Sequence, residues 1–236
     1  MPGRTERVWD APVRWFHWIN VLCILFMAAT GTMILNDNAL GMTSEGKVLL
    51  KEAHSCGGYV FVINLAWRLI WAFIGNRYAR WPALLPGGSR YIAAVRAQLS
   101  QLRAGQFASH PGHSPLGRVM VTALLILMLA QGLTGLVLAG TDVYLPPFGR
   151  FFAGWVTGDD PTLLAMLQPG STEHVIESAY TSMREFRGPI RETHEILFFA
   201  LMLAIAFHVT ANVLAEVRGS PGQISAMFSG RKTMRD

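Results

Sequence analysis

An all-α integral membrane protein, built as a bundle of four transmembrane helices, is the fold class that the sequence predicts. Three observations point to it. Half of the 236 residues are apolar and only 15% are charged. The apolar residues cluster in four nearly uncharged windows, at 15–35, 54–74, 119–139 and 194–214. A hydrocarbon layer about 30 Å thick needs about 20 helical residues, which each window supplies. Between them the chain offers too little polar amphipathic helix to wrap four such helices as the core of a soluble protein.

The elements follow in order. The first window is long for the apolar core of a signal peptide and lacks a small-x-small cleavage pattern, so it reads as a retained helix. Cys23 and Cys56 form no spaced set for zinc or a disulfide framework. No C-x-x-C-H occurs, which excludes covalent c-type haem attachment. After the second window, "GGSRYIAAVRAQLSQLRAG" places Tyr91, Ile92, Val95, Leu99 and Leu102 on one face. That pattern predicts a helix over about 89–104 lying on the membrane surface. Residues 140–193 read as a long connecting loop, rich in aromatic and charged residues, suited to docking a partner. The whole chain, 1–236, reads as a single membrane domain.

Charge sets the expected orientation. Most of the 20 Lys and Arg fall in the amino-terminal segment, the 75–118 connection and the tail that includes Arg235. The positive-inside rule puts these in the cytoplasm, with both termini, and makes the 140–193 loop periplasmic in a bacterial inner membrane. The net charge of +5 thus reflects topology and lipid contact, not nucleic-acid binding.

The fourth window poses the functional question. His194 and His208 are fourteen residues apart in "RETHEILFFALMLAIAFHVTANVLAE". Fourteen helical residues fall about 40° short of four turns and rise about 21 Å, so both rings leave one face at different depths. Histidine in hydrocarbon is costly and needs a partner. His17, at the start of the first helix, matches His208 in depth, and His54, at the start of the second, matches His194. Two b-type haems, each held by one pair as axial ligands, satisfy all four histidines. A proton relay would call for carboxylates beside them, and a di-iron or copper site for ligands at one depth.

Other residues bear on the same sites. Arg68, fourteen positions after His54, reaches the depth of His17 and His208 and calls for an anion there, for which a haem propionate is the expected partner. Arg14 can act alongside it. Gly57 and Gly58, Thr30–Gly31 and Gly132–Gly135 let a macrocycle or a neighbouring helix approach. His110, His113 and His174 read as loop histidines; His113 lies close enough to the inner membrane surface to touch a propionate or quinone, but reads first as an ordinary solvated histidine.

Four stretches also carry a likeness: "RVWDAPVRWFHWINVL", "HSCGGYVFVINLAWRLIW", "GHSPLGRVMVTALLILMLAQGLTGLVLAGTDVYLPPFG" and "THEILFFALMLAIAFHVTANVLAE". Together they resemble the bacterial four-helix cytochrome b family, from about residue 8 to 227. That family includes the b-type cytochrome subunit of nickel–iron hydrogenases and free-standing di-haem cytochromes b. The resemblance implies haem ligation by His17, His54, His194 and His208, and electron transfer between a periplasmic redox enzyme or cytochrome and quinone. Three functions are therefore expected to compete. They are a membrane subunit of a hydrogenase-like enzyme, an independent cytochrome b serving quinol and a soluble cytochrome c or small oxidant, and a haem-free transporter.

Overall fold

A computed structural model describes residues 4–107, 109–218 and 222–234. Arg235 of the basic tail lies outside the described residues. In order, the elements are β1 (Arg4–Arg7), α1 (Ala11–Leu35), α2 (Ser44–Ile74), α3 (Trp81–Leu84), α4 (Tyr91–Arg103), α5 (Pro115–Val143), α6 (Gly149–Thr157), α7 (Pro161–Met166), α8 (Glu177–Val217), α9 (Ala226–Ser229) and β2 (Arg231–Met234). Four of these, α1, α2, α5 and α8, are long and apolar enough to cross a membrane. Their outward faces stay uncovered, with Leu22, Ile63, Phe73, Ile126, Phe199 and Phe207 all exposed. Such a surface suits lipid and would be a liability in water. The protein is a multi-pass, predominantly helical membrane protein.

Where the sequence reads as one domain, contacts within the chain form two compact units. One comprises residues 1–20, 64–128 and 200–236, the other 21–63 and 129–199. All four spanning helices contribute a segment to each. The shorter helices are not shared: α3, α4 and α9 belong to the first unit, α6 and α7 to the second.

In the first unit, the two ends of the chain pair. β1 and β2 are antiparallel, with Arg4 opposite Met234 and Arg7 opposite Arg231. The pairing continues as Val8 N–H and Trp9 N–H donate to the Gly230 carbonyl at 2.9 and 3.2 Å. Gly230 sits at φ +76, and a Cβ there would lie 2.5 Å from the Trp9 carbonyl oxygen, so only glycine fits. Asp10 organises the start of α1. Its Oδ1 accepts from Val13 N–H at 3.2 Å, an N-cap bond. Its Oδ2 accepts from Trp71 Nε1 and Asn76 N–H at 3.0 and 3.2 Å, which fastens the end of α2 to the same carboxylate. Asn76 completes the knot by donating from Nδ2 to the Val8 carbonyl at 2.8 Å. α4 matches the expected 89–104 helix, with Ile92 and Leu99 exposed. It is held to the start of α5 by Tyr91 Oη on the Pro115 carbonyl at 2.6 Å and by Leu116 N–H on Gln98 Oε1 at 2.9 Å.

The second unit differs from expectation over 140–193. Much of that segment is helical: α5 runs on to Val143, α6 and α7 follow, and α8 begins at Glu177. Gly188–Pro189 reads as a break, yet α8 passes through it. Tertiary burial overrides the local signal. Met183 from the first turns of α8 is 1% exposed and packs with Phe152 and Val156 of α6. Asp142 at the end of α5 pairs with Arg187 of α8 and Lys51 of α2 at 2.6 and 3.3 Å.

Asp10→Ala is expected to lower stability by about 1–3 kcal/mol, because it leaves three N–H donors without an acceptor. The check is a lowered melting temperature of the detergent-solubilised protein, with Asp10→Asn intermediate. A melting temperature equal to that of the unaltered protein would remove Asp10 from this role.

Candidate haem sites

Histidine meets histidine in the second unit. His54 on α2 and His194 on α8 bring their ring centroids to 6.5 Å, with planes at 76°. Each imidazole has the same second partner. Thr30 Oγ1 on α1 lies 2.8 Å from His54 Nδ1, and Thr134 Oγ1 on α5 lies 2.8 Å from His194 Nδ1. Both hydroxyl hydrogens are already engaged along their own helices, Thr30 with the Phe26 carbonyl and Thr134 with the Ala130 carbonyl, each at 2.9 Å. The threonine oxygens are then left to accept Nδ1–H. That selects the tautomer with its lone pair on Nε2, the one a metal requires. Gln131 Nε2 lies 3.0 Å from His194 Nε2, so an amide N–H rests on that lone pair.

The glycines beside these threonines divide by role. A Cβ at Gly31 would come within 3.3 Å of His54 Cε1, and one at Gly135 within 3.2 Å of His194 Cε1. Each Thr–Gly pair thus hydrogen-bonds a ring and makes room for it. Gly57, Gly58 and Gly132 instead face Phe26, Met27, Val62 and Phe61, and serve helix-to-helix packing.

Two imidazoles that share one metal through Nε2, at about 2 Å per bond, have centroids roughly 6 Å apart. The observed 6.5 Å suits that arrangement. Among the described residues no group of three or more His, Cys, Asp or Glu is placed to hold a metal ion. The donor set therefore fits a group that brings its own equatorial ligands, as haem does.

His17 on α1 and His208 on α8 fall together in the first unit and lie within electrostatic reach of each other. Their surroundings are less settled. His17 Nδ1 is buried without a hydrogen-bond partner, and its ring meets Trp18 edge-on at 5.1 Å. His208 Nδ1 has Asn212 Nδ2 at 3.4 Å, but that amide is closer to the His208 carbonyl, at 2.7 Å. Neither ring has a Thr–Gly neighbour of the kind found in the other unit.

Arg68 and Arg14 lie in the same unit. Arg68 is only 4% exposed; it donates to the Ala79 carbonyl at 3.2 Å and lies 5.9 Å from the Phe16 ring centroid. Arg14 donates to the Phe228 carbonyl, while its Nε is buried without a partner. The reading of His113 as a solvated loop residue is corrected. Its Nδ1 is buried without a partner, and its ring lies 4.7 Å from that of Trp9. Burial, reinforced by Arg68, Lys232, His208 and Arg118, holds its pKa down at about 3, so it is neutral. The connection folds inward here because Gly112 allows contact with Tyr78, where a Cβ would sit 2.8 Å from Cδ1.

A model of the prokaryotic cytochrome b561 family matches residues 8–230. The chain belongs to that family. It is accordingly a b-type cytochrome, an electron-transfer protein whose cofactor is haem b. Similar sequences are the probable Ni/Fe-hydrogenase B-type cytochrome subunits of Cupriavidus necator and Rhodobacter capsulatus, 28% and 25% identical. Each alignment covers 97% of this chain, with 87% and 82% of the relative. The probable Ni/Fe-hydrogenase 1 B-type cytochrome subunit of Escherichia coli K12 is 27% identical over 75% of this chain and 82% of its own. No solved structure gives a significant match.

Thr30, Thr134 and Gln131 are the site neighbours that a search for ligands misses. A Thr–Gly dipeptide recurring in two apolar helices was the available signal. Thr134→Val keeps the shape of the side chain and removes the acceptor. It is expected to weaken haem retention by about tenfold or more, because partners of this kind typically contribute 10–100-fold to metal affinity. Haem per chain after extended washing in detergent tests this, with Thr134→Ser retaining the cofactor.

Proposed function

We propose that this cytochrome carries electrons across the bacterial inner membrane, between a hydrogenase-like redox enzyme on the periplasmic side and the quinone pool. His54 and His194 hold one haem b, and His17 and His208 a second. The observation that carries the reading is the 6.5 Å approach of His54 and His194, with each Nδ1 engaged by a threonine. Haem, when bound, supplies reversible one-electron chemistry.

The residues do the rest. Thr30 and Thr134 hold the rings in place with Nδ1 protonated and the lone pair on Nε2, from which a ligand at His194 displaces the Gln131 amide. The apolar helices exclude water, which makes each nearby charge count for more. Arg68 and Arg14 supply positive charge near His17 and His208 and favour an anionic group there. Both termini lie in the cytoplasm, as the distribution of Lys and Arg indicates. The helical segment 149–193 forms part of the partner-facing surface, and lipid covers the exposed apolar belts.

Hydrogenase is favoured as the partner because the similar proteins from Cupriavidus necator and Escherichia coli are both named as its B-type cytochrome subunits. The chain covers more than four fifths of each. A free-standing cytochrome b that serves quinol and a soluble cytochrome c is the alternative. It would show quinol oxidation by the isolated chain.

A reduced-minus-oxidised spectrum with a pyridine haemochrome assay is the direct test, with two haems b per chain expected. His54→Ala and His194→Ala should each remove one and the same haem, and His17→Ala and His208→Ala the other. Loss of a single shared haem from both His17→Ala and His54→Ala would refute the pairing.

A further inference from the structure

Lys232 lies on β2, where a short strand near the end of the chain would ordinarily hold its lysine in solvent. Instead the residue is 2% exposed. Burial pulls its pKa down to about 8, with Glu216 acting in the opposite direction, so the side chain stays charged at neutral pH. A buried ammonium is costly without a counter-charge. Among the described residues no ion pair reaches Lys232, and none reaches Arg68.

The carboxylates of this unit are engaged elsewhere. Glu216 accepts from the backbone N–H groups of Gly222, Gln223 and Ile224, at 3.0, 2.6 and 3.0 Å. Asp10 caps α1 and holds Trp71 and Asn76. Glu6 binds Arg77 and Tyr78. What remains is a cluster in which positive charge predominates, with Glu216 acting on Lys232 without pairing to it. Arg68, Lys232, Arg118 and His208 all act on His113, whose Nδ1 has no partner. Such a cluster needs an anion with several oxygen acceptors.

We propose that Lys232, with Arg68 and His113, binds the carboxylates of the haem held by His17 and His208, so that the carboxy-terminal strand closes that site. The inference rests on the two-haem reading above. It extends that reading by giving a binding role to β2 and to His113 in the connection before α5. Haem carboxylates are favoured over a free phosphate or a lipid headgroup because His208, an axial ligand in that reading, is one of the groups acting on His113. It also explains why the ends of the chain are tied together. The β1–β2 pairing and the Gly230 contacts hold Lys232 beneath the surface, and they anchor Trp9 against His113.

The test compares the unaltered cytochrome with Lys232→Met and Lys232→Arg by haem content and optical redox titration. Two haems in the unaltered protein establish the underlying reading first; fewer would sink that reading rather than the role of Lys232. A cation beside the haem favours the reduced state. Lys232→Met should therefore lower one midpoint potential, by about tenfold in the equilibrium or about 59 mV for one electron. Lys232→Arg should restore it. The component that moves should be the one lost in His208→Ala. Unchanged potentials in Lys232→Met, or movement only of the component that survives His208→Ala, would overturn the proposal. Should Lys232→Met fail to fold, reconstitution of the unaltered apoprotein with haem dimethyl ester decides instead. The esterified haem should bind poorly at the His17/His208 site, and equal binding of ester and acid would overturn the role.

Discussion

An imidazole inside an apolar membrane helix has no water to complete its hydrogen bonds, so both ring nitrogens must be answered by the protein or by what it binds. Around His54 and His194 that constraint explains most of what surrounds them. A threonine one helix away has its own hydroxyl hydrogen tied to the helix and therefore accepts Nδ1–H. The following glycine leaves space for the ring. The same dipeptide serves both histidines from different helices. One solution to the burial of a ring has been used twice, and each time it places the lone pair on Nε2, which at His194 meets the Gln131 amide.

In the first unit the requirement is the same but its solution is different. His17 and His208 lack the threonine partner, and the side chains that act on His113 together with His208 are the cations Arg68, Lys232 and Arg118. Two haems in such different surroundings would have different potentials, since hydrogen bonding to the axial ligand and nearby charge both tune a haem iron. A difference of that kind gives a membrane conduit its direction.

The opening segment "VWDAPVRWFHW" illustrates how a functional signature can be structural in its chemistry. Of its residues, His17 is a proposed ligand. Asp10 is a cap that fastens the ends of α1 and α2, and Trp9 covers His113. Val8 is fully buried and continues the pairing between the ends of the chain. The motif positions a ligand by fixing the backbone around it.

The four spanning helices, the short helix over 91–103 and the placing of four histidines on apolar helices were legible in the sequence because each depends on local pattern. About 20 apolar residues define a span, and a helical period sets which side chains share a face. The relation between Thr30 and His54, or between Thr134 and His194, was not legible. It joins residues on different helices, and no spacing along one chain segment encodes it. Helicity over 177–193 was hidden by the charged composition of that stretch, which reads as a loop, and burial of Met183 against α6 overcomes that local preference. His113 was misjudged because a polar residue in a connection reads as solvated, and for the same reason Lys232 in the tail was not singled out. Here the folding of chain ends and connection onto each other buries them. Sequence alone thus determined which segments enter the membrane and which side chains are costly there. Only tertiary structure decided which polar atoms answer one another, because that depends on packing between distant segments.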